Sequence, residues 1–455
     1  MLFRTLAWLA FAGCSLDETL ASVPFEPPSE PRDLGPPQRV FAKRFVAPIR
    51  DAPSSAGARI GYLRAGAVLQ STTTEPLGYE GCEGGWFELN TGGFACHGRD
   101  IIVFSGDRLP ESRARQPDRE AVIPYAYATV RNPTPIYRRL PRADEIYEVA
   151  EAGVGVDPAP FERPGQTVKR DNPLVLRILR PGYYVSLDRT FEKDGETYWR
   201  TQQNGFVPAK DLRRAGWSQF RGQELDGQDW DLPVAVTQAK ATTIYRINDR
   251  GKLRATRDSL ERRTWLPVRS RRLIDENAYL VVGDEGLIRE ADVSIVAAAT
   301  PPPEVGEGER WIDVDLTHQV LVAYEWKKAR YVTLISSGRS QVPSPELDYR
   351  TPQGLYRIRS KDLTSTMDDD APGAPPYSLE DVPYVMYFKG AYAFHSAFWH
   401  DRFGRPRSHG CINLAPHDAK WLYNWAGPDL PEIWYGGSAT EDNPGTWVHI
   451  HGETP

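Results

Sequence analysis

The sequence predicts a mostly β chain built from several domains, with one short helix near its C-terminus. Three observations carry that prediction. First, 39 prolines and 38 glycines punctuate short runs rich in Val, Ile, Thr and aromatic residues, the spacing of turns between short strands. Second, a strand-and-turn pattern recurs three times between residues 40 and 296. Third, beyond residue 309 apolar and polar residues alternate with period two, as in Ile312, Val314 and Leu316 against Asp313 and Asp315. With 455 residues, 40% of them hydrophobic, the chain can fill three or four cores. A net charge of −6 without any basic block argues against a nucleic-acid partner. No run of 18 apolar residues is present, so no transmembrane helix is expected.

Met1 to Arg4 is a basic start, and Leu6 to Gly13 is a short apolar run ending in small residues, the pattern of an export signal. Phe11-Ala12-Gly13-Cys14 resembles a bacterial lipobox. That resemblance implies that Cys14 is the lipidated first residue of the mature protein, that the only membrane contact is through this lipid, and that the chain works in the periplasm of a bacterial envelope. Simple secretion and a buried N-terminal helix are the alternatives. Residues 15–39 contain six prolines among acidic and small residues and read as an extended tether.

The three units that follow span 40–106, 120–215 and 230–296. Each opens on a short apolar and basic run, Ile49-Arg50, Ile136-Tyr137-Arg138 and Ile244-Tyr245-Arg246. Each closes on an aromatic strand, a glycine turn and an aspartate, as in Tyr198-Trp199-Arg200, Gly205-Phe206 and Asp211-Leu212. The units resemble bacterial SH3 domains, most weakly in the third, and the resemblance implies small five-stranded β-barrels. Such barrels either bind wall glycans and peptides or act as spacers. Trp86 and Trp199 could stack on sugars if exposed, although aromatic residues of that strand more often fill the barrel core.

Residues 297–308, with Pro301-Pro302-Pro303, Gly306 and Gly308, form a second linker, and Trp311 opens the last domain, 309–452. Val385 to Phe388 and Ala391 to His395 are β-prone runs joined by Lys389-Gly390, a tight hairpin. On its second arm Ala391, Ala393 and His395 share one face. Residues 362–383, with Asp368-Asp369-Asp370, Pro372, Pro375 and Pro376, read as a solvated loop long enough to act as a lid. After Cys411, Pro416 to Trp425 has helical spacing with proline in the first turn, and Trp421, Leu422 and Trp425 are its expected buried face.

The chemistry lies in HSAFWHDRFGRPRSHGCIN, where His395 precedes Cys411 by 16 residues and Ser408-His409-Gly410 leads into the thiol. An ordinary cysteine, with pKa about 8.5, is only a few per cent thiolate at neutral pH, so a nucleophilic thiol needs a base, and His395 can serve. Gly410 would let backbone amides around Cys411 approach a carbonyl as an oxyanion hole. This segment, together with Ile312 to Leu316, Gln319 to Val322, Val332 to Gly338 and Thr351-Pro352-Gln353-Gly354 in that order, resembles the L,D-transpeptidases of the YkuD type.

The resemblance implies a YkuD-like β-sandwich with a short helix after the cysteine. It also implies that Cys411 attacks the diaminopimelate carbonyl of a peptidoglycan tetrapeptide stem, releasing D-Ala and forming a thioester. The acceptor is then an amine, from a second stem or from an envelope protein. His395 carries over as the base, the Ser396 carbonyl as the group holding its other nitrogen, and His409 and Asn413 as residues shaping the pocket; Ser408 and Asn413 are expected to bond backbone. One of Arg402, Arg405 and Arg407 is expected to clamp a stem carboxylate. An L,D-carboxypeptidase or crosslink-cleaving peptidase using the same thioester, and a wall-binding scaffold with an idle catalytic domain, are the competing readings.

With Cys14 and Cys411 so assigned, Cys82 and Cys96 remain and can pair in an oxidising compartment; two unpaired core thiols are the alternative. No cofactor is expected. His449 and His451 form an H-x-H on the last strand, but no further ligand set lies nearby in sequence, so no metal is assigned.

Overall fold

The computed structural model describes residues 38–106, 108–110, 115–151, 172–283, 286–340, 348–369 and 376–455. The export signal, Cys14 and nearly all of the proposed tether lie outside these residues. Among the described residues no helix is long and apolar enough to cross a membrane.

The C-terminal domain is a sandwich of two sheets. One sheet has six strands in the order Gln223–Glu224, Lys328–Leu334, Val320–Glu325, Arg310–Asp315, Trp447–His451, Gly354–Arg357. Arg310–Asp315 and Trp447–His451 run parallel in its centre. The other sheet carries the long hairpin Ser360–Asp369 and Tyr377–Lys389, followed by Tyr392–Ser396 and Ile412–Leu414. Ile312, Val314, Leu321 and Ile450 from the first sheet meet Met386, Phe394, Ile412 and Leu414 from the second in one core. Helix Pro416–Trp425 closes that core with Ala419, Leu422 and Tyr423.

Burial on this helix differs from the sequence expectation: Asp418, Ala419, Leu422 and Tyr423 are buried, whereas Trp421 and Trp425 are half-buried and stack on each other at 5.5 Å. The cause is Asp418, which accepts hydrogen bonds from Tyr331 Oη (2.7 Å), Thr333 Oγ1 and the Gly222 amide (2.8 Å) and so turns its own face of the helix inward. A carboxylate with three donors is satisfied inside a protein.

Arg310–Asp315 was expected to be half-buried, but Trp311 and Asp313 on its polar side are also buried. The reason is that the third module covers the outer face of the six-stranded sheet. Val234, Val236, Trp265 and Val296 pack there against Trp311, Val322 and Val332, together with Val305 from the segment read as a linker.

The first and second modules also dock. The sheet containing the long hairpin continues into both: Tyr184 pairs with Leu379 on one side, and Gly61-Tyr62 pairs with Gly437-Gly436 on the other. Glycine is required at 436, where a Cβ would stand 2.3 Å from Asp362 Oδ1 and 2.5 Å from the Tyr62 ring. In the first module Cys82 and Cys96 are disulfide-bonded, with Cα atoms 5.9 Å apart. Trp86 is buried there and donates its indole N–H to the Glu80 carbonyl at 2.8 Å, so it fills core and presents no face for a sugar.

The region read as a lid loop is mostly strand. Ser360–Asp369 and Tyr377–Lys389 form a twisted hairpin, and only its tip, 370–375, lies outside the described residues. Sequence patterning misses it because Tyr377–Lys389 is buried on both faces along most of its length, so alternation disappears there.

Candidate active site

Tyr392–Ser396 and Ile412–Leu414 pair in parallel with Phe394 opposite Ile412, His395 opposite Asn413 and Ser396 opposite Leu414. That register carries Cys411 to the level of Ala393. Side chains of register partners share a face and the strand period is two, so Cys411, Ala393 and His395 rise from one face. His395 is buried at 3% exposure, while Cys411 is half-buried and its thiol is free. The Cys411 S–H donates to the Ala391 carbonyl at 3.7 Å. Leu379, Val382, Val385 and Ala393 form the apolar wall against the thiol, with Tyr377, Tyr387 and Trp399 at its edge.

The imidazole of His395 is oriented from behind. Its Nδ1–H donates to the Ser396 carbonyl at 3.2 Å, which leaves Nε2 as the unprotonated nitrogen. The Trp399 indole stacks on the ring at 5.7 Å. Burial pushes His395 down to about 4 and the Cys411 thiol up to about 11. Burial thus favours the neutral forms of the Cys411 thiol and the His395 imidazole.

The loop leading to the thiol is tied to two other segments and braced from within. Gly338 N–H donates to Thr351 Oγ1 at 2.9 Å, and Thr351 Oγ1–H donates to the Gly410 carbonyl at 2.8 Å. The Ser408 hydroxyl donates to the Cys411 carbonyl and accepts the Gly410 N–H at 3.0 Å. That last bond commits the Gly410 amide to the loop. Gly410 has φ +118°, and a Cβ there would lie 2.4 Å from the Tyr392 ring.

His409 stacks on Tyr349 at 4.1 Å and stands 3.9 Å from Asp369, at the base of the hairpin tip. Asn413 exchanges backbone bonds with Ser336 at 2.9 Å, and its amide meets His400 Nε2 at 3.0 Å. His400 had no assigned role in the sequence. Its Nδ1 accepts the Arg402 N–H at 3.2 Å, and burial with the charge of Arg407 pushes it down to about 3, so it is a neutral strut under the loop. Trp399 and His400 lie inside the motif stretch and could have been found there; Tyr349 and Arg339 come from a distant segment and could not.

The three arginines separate. Arg407 lies within the electrostatic reach of Arg402 and Arg339, and burial with those like charges lowers its pKa. Arg405 instead faces Arg262 of the third module.

Residues 309–450 match the family model for the YkuD L,D-transpeptidase catalytic domain. These residues form a YkuD-type L,D-transpeptidase catalytic domain. The chain is 27% identical over 142 residues to YciB of Bacillus subtilis (strain 168), named as an L,D-transpeptidase, and spans 66% of that protein. It is 38% identical over 85 residues to L,D-transpeptidase 3 of Mycobacterium tuberculosis, of which it spans 31%. Among solved structures, the L,D-transpeptidase of Stackebrandtia nassauensis aligns at 24% identity over 33% of this chain and 60% of that one, with a TM-score of 0.23. The Enterococcus faecium catalytic domain aligns at 24% identity over 32% of this chain and 98% of that one, with a TM-score of 0.24.

Proposed function

We propose that this protein is a cysteine-dependent peptidoglycan L,D-transpeptidase. The observation that carries the reading is the parallel pairing of the His395 strand with the strand that Cys411 leads, which presents a free, half-buried thiol and an oriented base on one face. As a tetrapeptide stem enters, the Cys411 S–H gives its proton to His395 Nε2 and the sulfur attacks the diaminopimelate carbonyl. A C–S bond forms, the C–N bond to D-Ala breaks, and the imidazolium returns its proton to the departing amine. An amine from a second stem or an envelope protein then attacks the thioester, forming a C–N bond and releasing the thiol. Because both groups rest neutral, the ion pair exists only during the reaction, and the apolar wall at Cys411 keeps water from competing. Arg402 and Arg407, beside Arg339, are the proposed clamp for a stem carboxylate; Arg405 is turned to another surface.

The setting proposed is the periplasm, with Cys14 lipidated. The three modules, SH3-like by sequence, act in this reading as positioning elements: their docking on the catalytic domain and the burial of Trp86 favour that role over sugar binding.

The test is incubation of the purified full chain with tetrapeptide muropeptides, followed by mass analysis. Crosslinked dimers with loss of D-Ala support the proposal. Tripeptide alone makes water the acceptor, and unchanged tetrapeptide refutes the reading.

A further inference from the structure

Two histidines spaced i, i+2 on a strand share a face, which alone means little. The fold supplies a third group from 136 residues earlier in the chain. The first and last strands of the catalytic domain run parallel with Asp313 opposite His449 and Asp315 opposite His451, so Asp313, His449 and His451 meet on one side of the sheet. His449 Nδ1 is 3.0 Å from Asp313 Oδ1, and His451 Nε2 is 3.1 Å from Asp313 Oδ2. The two imidazoles stack at 4.9 Å with 26° between their planes, and all three donor atoms lie within 4.8 Å of one another.

We infer that Asp313, His449 and His451 form a binding site for a divalent late first-row transition ion, Zn²⁺ in the first instance. Two imidazoles and a carboxylate are the ligand set that suits such ions, and hard cations such as Ca²⁺ or Mg²⁺ call for oxygen donors instead. Bonds of about 2.0–2.1 Å in a tetrahedral shell put neighbouring donors roughly 3.3 Å apart, close to the nitrogen–oxygen separations already present. The ion would take the place of the N–H protons now shared with Asp313. Asp313 is 7% exposed and fixed in a central strand, whereas the two imidazole side chains are 35% and 40% exposed. An ion there is reachable from solvent and keeps one position for water. Asp315 does not compete, because its carboxylate bonds Thr317 N, His318 N and His318 Nδ1. The site stands on the six-stranded sheet, away from the strands that carry Cys411 and His395. Its role is to fasten the last strand of the domain to the first.

The experiment uses the full chain carrying Cys411→Ala, which removes the free thiol as a rival ligand and keeps the outcome separate from the transferase reading. After treatment with EDTA and dialysis, ZnCl₂ is titrated calorimetrically, and Co²⁺ is added in parallel to read the visible bands of a four-coordinate ion. The expected result is saturation at one equivalent with micromolar or tighter affinity, tetrahedral Co²⁺ bands, and a higher melting temperature with Zn²⁺ than with EDTA. Asp313→Asn and His451→Gln should each weaken binding by roughly 100-fold or more, since loss of a direct ligand exceeds the 10- to 100-fold cost of an outer partner. His451→Gln alters a half-exposed side chain and retains a hydrogen bond to Asp313, so it keeps the test valid if Asp313→Asn does not fold. Absence of saturable binding at one equivalent, or binding undiminished in the folded variants, overturns the inference.

Discussion

Arg64 in the first module reaches Asp381 in the active-site hairpin, Nη1 to Oδ1 at 2.8 Å, with each side chain 3% exposed. The second module grips the same carboxylate through Ser186 Oγ at 2.5 Å and its neighbour Glu380 through Arg177 at 2.7 Å. Tyr127 adds a hydrogen bond to the Asp381 carbonyl at 2.6 Å, and Asp381 itself adopts φ +49°. Two modules thus converge on two consecutive acidic residues in the strand that also supplies Leu379 and Val382 to the wall beside Cys411. A charge pair this deep is destabilised strongly when one partner is lost, because the other is left buried and unpaired. Arg64→Leu should cost about 3–5 kcal/mol, measured by urea denaturation, and should lower the rate of Cys411 acylation because the hairpin loosens. An unchanged midpoint and rate would mean that the modules hang free of the catalytic domain.

His395→Ala should leave the fold intact and slow thioester formation by roughly 10²- to 10⁴-fold, the scale of general-base loss. Stopped-flow acylation by a carbapenem reads this directly. His400→Ala should act differently: it removes a strut bonded to Asn413 and Arg402 N–H, so the melting temperature should fall along with activity.

The pH dependence of Cys411 follows from its burial. With the thiol pushed up to about 11, the free enzyme carries little thiolate at pH 7, and alkylation by iodoacetamide should be slow there and rise with pH toward 11. His395 titrates near 4, below its ordinary value near 6.5, so the folded state resists its protonation. The stability this group contributes is complete above pH 6.5 and is lost as pH falls through 6.5 toward 4, because the unfolded chain binds the proton first. Replacing His395 by Gln should flatten the fall in melting temperature across that window.

Gly410→Ala should abolish acylation. The new methyl would strike the Tyr392 ring in a backbone conformation that residues with a Cβ rarely adopt. Pairing it with Tyr392→Ala relieves the clash alone, so partial recovery of melting temperature without recovery of rate would separate the two effects.

Much of the site was legible because its determinants are local. The hairpin at 385–395 follows from β-prone runs around Lys389-Gly390, and the helix from Pro416 and its spacing. What was not legible depends on partners far away in the chain. Glu380 and Asp381 look like loop residues by composition, yet their cations lie 203 and 317 residues earlier. Arg310–Asp315 shows the alternation of a strand with one wet face, and nothing in those six residues announces that residues of the preceding module, such as Val234 and Trp265, cover it. For the same reason His449-x-His451 gives no sign of Asp313.

The central claim is that the Cys411 sulfur forms the thioester, and intact-mass analysis of rapidly quenched full-length protein with a tetrapeptide stem tests it most directly. The account predicts an adduct of the stem tripeptide acyl group, mapped by proteolysis to Cys411, removed by hydroxylamine, accompanied by free D-Ala and absent from Cys411→Ala. Crosslinked or trimmed product from Cys411→Ala, or an adduct mapped to any other residue, would contradict it.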